Sequence, residues 1–160
     1  MRKSTLTNSK SKRRSTVLLV LLLLLIIAFF PLNFVNIILP NETIVFYEEN
    51  FDIEWVHSVE KETWIETYEV KGNKLILTST TFKTYGAGVP SDGVVEDRGD
   101  GFVHMTINRE MDDILLVVSD LVEMTVHYGN KEIPLYKMVD DYEEVQIESK
   151  QLPWWNILKE

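Results

Sequence analysis

One histidine, one serine and two glutamates lie close together in the chain and are the residues best suited to chemistry. They are His57, Ser58, Glu60 and Glu66. A serine hydrolase needs a hydroxyl, a base within hydrogen-bonding distance and an acid that orients the base. Adjacent strand residues point to opposite faces, so we expect His57 not to activate Ser58. The favoured role of His57 is a buried hydrogen bond, with Glu66 as one acceptor; a ligand-orienting pair is the alternative.

A glycine-rich segment forms the second candidate site. Gly86 and Gly88 flank Ala87 and are followed by Val89 and Pro90. Glycines let the backbone approach a ligand closely and form anion-binding concavities. A phosphate-binding loop would also need a following lysine and a helix. The sequence has neither, so the segment predicts a plain turn or a backbone rim over a binding site.

The residues whose side chains could bind a metal are scattered along the sequence. His57, His104 and His127 each lie in a separate predicted strand, without the short spacings typical of zinc sites. The acids between residues 92 and 100 fit no calcium-binding EF-hand loop. The chain contains no cysteine, which excludes disulfides and thiol chemistry. We therefore predict no metal site and no cofactor.

Alternating apolar and polar residues predict the strands that position these candidates. Residues 51–58 and 63–70 alternate and form a predicted hairpin, and Gly72-Asn73 marks a tight turn into the next strand. A long loop covers residues 85–101. Further short strands are expected at 43–47, 75–82, 102–108, 114–118, 122–128, 132–139 and 145–148. This spacing predicts an all-β domain, a small antiparallel β-sandwich or barrel.

The N-terminal segment is basic and then strongly apolar. Six lysines and arginines precede Val17, and an apolar stretch continues to Leu39 with few interruptions. These 23 positions would measure about 34 Å as a helix, enough for a hydrocarbon core of about 30 Å. We predict a cytoplasmic tail at 1–16 and a transmembrane anchor at 17–39. A cleaved secretory signal is the alternative, although small residues at its cleavage site are lacking.

The predicted extracytoplasmic domain, residues 41–150, is acidic. After Pro40 the chain has 25 acids and 10 bases, a formal charge of −15. Such a surface argues against nucleic acid as a partner, because phosphate contacts need lysine and arginine. A tail at 151–160 contains Trp154 and Trp155, which suit a membrane interface, a partner's groove or a plug at the end of the domain. The expected location is the bacterial plasma membrane.

Two short elements together resemble a known family. The residues are Trp55-Val56-His57-Ser58-Val59-Glu60, with Glu66 following, and later Phe82 and Gly86-Ala87-Gly88-Val89-Pro90. In this order they resemble the bacterial proteins grouped as DUF1850, a domain of unknown function. Members of that family are often encoded beside TAXI-type tripartite ATP-independent periplasmic (TRAP) transporters. The resemblance implies a small accessory to solute uptake and brings no established mechanism.

These observations predict a binding or accessory protein rather than an enzyme. Its expected partners are a transporter permease or a solute-binding protein, besides the plasma membrane. The resemblance maps the candidate binding site onto His57, Ser58, Glu66, Gly86 and Gly88. An outer-surface hydrolase using His57 and Ser58 and an assembly factor using the Trp154-Trp155 tail remain the alternatives.

Overall fold

The computed structural model describes residues 6–153 and residue 155. One helix, α1, runs from Leu6 to Ala28, and the rest of the described chain is mostly β structure. Two compact units are present: a small one that contains α1, and a large one, Asn33–Gln151. The strands are β1 Pro31–Ile38, β2 Thr43–Phe46, β3 Asn50–Val56, β4 Thr63–Lys71, β5 Lys74–Phe82, β6 Val94–Glu96, β7 Val103–Met111, β8 Asp113–Val117, β9 Thr125–Tyr128, β10 Lys131–Pro134 and β11 Glu144–Pro153.

The strands form two antiparallel sheets. The small sheet has the order β2-β1-β11-β8, and the large sheet has the order β10-β9-β3-β4-β5-β7-β6. The prediction of a mostly β, antiparallel protein is therefore confirmed. A short 3-10 turn, Leu135–Lys137, follows β10 and buries Leu135.

Tight turns set the register of the hairpins in the large sheet. Gly72 has a φ of +63° between the paired residues Lys71 and Lys74. Gly129 has a φ of +53° and begins the turn from β9 to β10. A left-handed backbone favours glycine, which explains why Gly-Asn marks both turns in the sequence.

The two sheets share one main core. It contains Val35, Ile37 and Ile147 from the small sheet and Phe51, Tyr68 and further residues from the large sheet. A second, smaller cluster lies on the same face of the large sheet and consists of Trp64, Phe82 and Met105, with Trp55, Val89 and Val103 against it. We call it the aromatic cluster. The candidate site lies at this cluster.

An irregularity on β5 marks the boundary between the main core and the aromatic cluster. Thr67 pairs with Ser79 and Tyr68 pairs with Leu77, so Thr78 is an extra residue on β5. Before this β-bulge, Leu75 and Leu77 lie in the main core; after it, Phe82 lies in the aromatic cluster. Bulges bend a strand and redirect its side chains.

The predicted transmembrane helix over residues 17–39 is wrong. The helix ends at Ala28, and Pro31 begins β1, whose residues Phe34, Val35 and Ile37 are buried. Proline breaks a helix interior and restricts the residue before it to extended conformations. The apolar residues after Pro31 therefore belong to a sheet. Among the described residues, no helix combines the length and the apolar character that crossing a membrane requires.

Candidate functional site

His57 joins the turn after β3 to the glycine-rich segment. Its Nε2 atom donates a hydrogen bond to the carbonyl oxygen of Ala87 at 3.1 Å, since a carbonyl can only accept. Its Nδ1 atom lies against the Oε2 atom of Glu60, which makes an ion pair when the imidazole is protonated. The backbone N–H groups of Val59 and Glu60 point at the same nitrogen from 3.3 and 3.4 Å. Both ring nitrogens are thus engaged, and neither faces Ser58, which is exposed in the turn.

The Glu60 carboxylate lies between His57 and Gly86. Its buried Oε2 atom has no hydrogen-bond partner in the described part of the chain and lies against Nδ1 of His57, where a protonated imidazole would balance its charge. A Cβ atom on Gly86 would lie 2.6 Å from Cδ of Glu60 and closer still to Oε1. Glycine at position 86 is therefore needed for this close approach rather than for an unusual backbone angle.

Aromatic rings support the His57 imidazole. The imidazole stacks on Trp64 with ring centroids 5.5 Å apart, and Trp64 stacks in turn on Trp55 at 5.6 Å and on Phe82 at 4.7 Å. The indole nitrogen of Trp64 donates to the buried hydroxyl of Thr80 at 2.7 Å. Because Trp64 is fixed by packing and by this hydrogen bond, it fixes the plane of His57.

The glycine loop, which we define as residues 83–93, packs against the aromatic cluster. Val89 packs on the cluster, and Asp92 forms an ion pair with Arg109 of β7 at 2.6 Å. A Cβ atom on Gly93 would come within 2.7 Å of the Met105 side chain. Together with the hydrogen bond from His57 to Ala87, these contacts hold the loop at several points along its length.

The space beside His57 is very small. A cavity of about 10 Å³ is lined by His57, Glu60, Trp64 and neighbouring residues. A volume of this size holds at most one water molecule. With the loop in this position, this cavity is too small to enclose an organic solute.

Glu66 lies on the same face of β4 as Trp64 and Tyr68, at the border of the two clusters. The Tyr68 hydroxyl donates to Oε2 of Glu66 at 2.5 Å. Burial raises the pKa of Glu66 above its ordinary value, although the Tyr68 hydrogen bond and the Arg109 charge act in the opposite direction. Burial, and then the Glu66 charge, raises the pKa of Tyr68. Desolvation therefore disfavours a charge on either group.

Comparison with protein-family models identifies one match, "Domain of unknown function (DUF1850)", over residues 51–135. The chain belongs to the DUF1850 family. The match begins at Phe51 in β3 and ends at Leu135 after β10, so the DUF1850 region includes the large sheet, His57, Glu66 and the glycine loop. Comparison with curated proteins and with solved structures gives no match.

The structure brings some of the predicted site residues of this DUF1850 protein together. His57 contacts Ala87, which lies between Gly86 and Gly88. Gly86 lies against the carboxylate of Glu60, which faces His57. Ser58 is exposed beside them. Glu66 is the residue set apart: His57 donates to the Ala87 carbonyl and faces Glu60, whereas Glu66 accepts from Tyr68.

Several groups in the site have no distinctive pattern in the sequence. The Ala87 carbonyl, the Thr80 hydroxyl and the ion pair of Asp92 with Arg109 depend on contacts between distant segments. The Tyr68 partner of Glu66 is two residues away on one strand, and strand periodicity places both on one face. This periodicity could have identified Tyr68 as the partner of Glu66.

The remaining candidates have other partners. His104 contacts Thr81 at 3.0 Å and Asp100 at 2.9 Å, whereas His127 lies 3.4 Å from Glu54. No group of three or more histidines and acids in the described residues is arranged to hold a metal ion. Trp155 is half-buried, and Trp154 lies outside the described residues.

Proposed function

We propose that this DUF1850 domain, which we interpret as a β-sandwich, is a protein-binding accessory of a solute uptake system of the TAXI type. The observation that supports it best is that the protein's own residues fill the site. His57 holds the glycine loop, and the cavity beside it has a volume of only about 10 Å³. Such a site presents a fixed outer surface to a partner better than it encloses a solute.

The partner surface in this proposal is the outer side of the glycine loop and the adjoining turn. Tyr85 and Val59 are 64% and 73% exposed there. Exposed aromatic residues on an ordered surface are frequent anchors of protein interfaces. The expected partner is a transporter permease or its solute-binding protein.

The proposal includes a position outside the cytoplasm, at the outer face of the plasma membrane. Its support is the N-terminal segment, in which six bases precede the 12 apolar residues from Val17 to Ala28. Those apolar side chains from Val17 to Ile27 are at least 50% exposed. A basic segment followed by 7–15 apolar residues is typical of a secretory signal. Protease treatment of spheroplasts tests this position. We expect the protease to digest this protein while cytoplasmic marker proteins stay intact.

Site-specific crosslinking tests the partner. We would place a photo-reactive residue at Tyr85 and, as a matched control, at Tyr47, an equally exposed tyrosine next to β2 of the other sheet. We expect the Tyr85 probe alone to crosslink a permease or a solute-binding protein in the native cells. Crosslinks at both positions, or at neither, would contradict the proposed surface.

His57→Ala in the Tyr85 probe protein tests the role of the imidazole. Loss of the hydrogen bond to Ala87 and of the contact with Glu60 should free the loop, so we expect the crosslinking yield to fall several-fold. The fold should persist, because the main core does not include His57. An unchanged yield would show that the imidazole does not order the partner surface.

A further inference from the structure

The strand β8 has an unusual side-chain pattern for the edge of a sheet. It pairs with β11 on one side and has no strand on its other side among the described residues. Ile114 faces the main core, but Leu115 and Val117 point outward and are 63% and 54% exposed. The outward face of an antiparallel sheet is normally polar. Apart from Asp113 at its start, β8 is therefore apolar on both faces.

The edges of the large sheet carry the features that prevent unwanted strand pairing. β10 contains Lys131 and Pro134, and β6 has only three residues. Short strands, charges and prolines all oppose the addition of a further strand. β8 has five residues and contains neither lysine nor proline. An edge of this kind is the surface on which an extended peptide can add a strand.

Charges around β8 limit what that peptide can be. Exposed acids lie at both ends of the strand: Asp113 at its start, next to Asp112, which pairs with Lys74 at 2.7 Å, and Asp120 after its end. Glu144 pairs directly with Val117 from β11 and is also exposed. A second copy of this chain would place the same acids against one another. Lysine or arginine on the incoming segment would complement them.

We propose that β8 binds an extended segment of another protein, which adds a fifth strand to the small sheet. That segment has apolar side chains at alternate positions, to cover Leu115 and Val117, and basic residues at its ends. The surface lies on the other sheet from the glycine loop, so this inference does not depend on the proposed function.

A synthetic peptide tests this binding surface. The probe is a fluorescent peptide of alternating valine and threonine with two lysines at each end, titrated with the full-length protein and followed by anisotropy. We expect saturable binding that is about tenfold or more weaker for Leu115→Lys/Val117→Lys, because this pair of substitutions removes the apolar contact and repels the peptide. Replacing the central threonine of the peptide with proline should also abolish binding, because proline cannot donate to the new strand pair.

The matched control is Val94→Lys/Val95→Lys, which makes the same charge change at two exposed valines of β6. We expect it to bind the peptide within about twofold of the wild type, since lysines added on the other sheet act on β8 only through screened charge. Circular dichroism would check that both variants are folded.

Three results would overturn the proposal. Equal weakening in the two variants would show that general charge attraction, rather than β8, binds the peptide. Absence of saturable binding to the wild-type protein would show that β8 accepts no such strand. Self-association of the wild-type protein that Leu115→Lys/Val117→Lys abolishes would identify the partner of β8 as a second copy.

Discussion

Gly86→Ala should weaken the protein through Glu60 rather than through the backbone. The φ angle of Gly86 is not in the left-handed region, so alanine fits the backbone there. Its Cβ atom, however, would collide with the Glu60 carboxylate, whose flexible side chain can move away. This movement would separate Glu60 from His57.

The magnitude follows from the lost interaction. A buried polar group left without its partner costs about 1–3 kcal/mol. The two side chains of this pair are mostly buried, at 15% and 23% exposed. Replacing glycine with alanine at a compatible position restores about 0.4–1 kcal/mol by restricting the unfolded chain. We therefore expect Gly86→Ala to lower the free energy of unfolding by about 1–2 kcal/mol.

A double-mutant cycle with Glu60→Ala distinguishes this mechanism from a general backbone effect. In the Glu60→Ala protein the carboxylate is absent, so Gly86→Ala should become neutral or slightly stabilising. Gly88→Ala is the control: its φ is +85° and its Cβ would meet open space, so its cost of about 1–2 kcal/mol should be the same in both backgrounds. Urea unfolding followed by tryptophan fluorescence measures all the variants.

One result would refute this reasoning. If Gly86→Ala cost the same free energy with and without Glu60, the contact between Gly86 and the carboxylate would not be the cause. The role of the imidazole as the group that balances Glu60 would then lose its support.

Two further substitutions test the interior of the large sheet. Glu66→Gln should raise the free energy of unfolding at pH 7 by about 0.5–2 kcal/mol. Because the pKa of Glu66 is raised in the folded protein, its contribution to wild-type stability is fully present below pH 4.5 and is lost as the pH rises through the folded-state pKa. The difference in unfolding free energy between Glu66→Gln and the wild type should therefore vanish in urea unfolding at pH 4. A difference that grows in acid would contradict this explanation. Trp64→Phe should cost about 1–3 kcal/mol, because it leaves the Thr80 hydroxyl without its indole donor. The double variant Trp64→Phe/Thr80→Val should cost less than the sum of its single changes, and strict additivity would contradict the pairing.

The hairpins of the large sheet could be predicted because their signals are local. Gly72-Asn73 and Gly129-Asn130 turn the chain where expected, and residues 51–56 pair with residues 63–68 across the predicted turn. The strand β6, inside the predicted long loop, has three residues and too little pattern to detect.

The helix prediction over residues 17–39 failed for a physical reason. Strand β1 is buried by sheet packing and reads as a continuation of the apolar run before it. Pro31 was the available signal, because a proline in the middle of a helix removes a hydrogen bond and favours an extended residue before it.

The site was predictable in its parts but not in its connections. His57 was expected to make a buried hydrogen bond, and the bond it makes to Ala87 is exposed. The glycine segment was predicted to be a plain turn or a rim over a binding site. Which groups they meet depends on how the glycine loop, thirty residues later, folds back onto β3 and β4. Glu60 could not be preferred over Glu66 as the carboxylate that faces His57, because the turn that contains Glu60 has no periodicity.

The separation of the aromatic cluster from the main core has a consequence for hydrogen exchange. Trp64, Phe82 and Met105 pack mainly with one another and with Val89 of the glycine loop, so this region can open while the shared core of the two sheets stays intact. Local openings of this kind require less free energy than global unfolding. Amides near Phe82 and Met105 should therefore exchange through a sub-global opening, and those near Leu75 and Val126 only through unfolding of the whole domain.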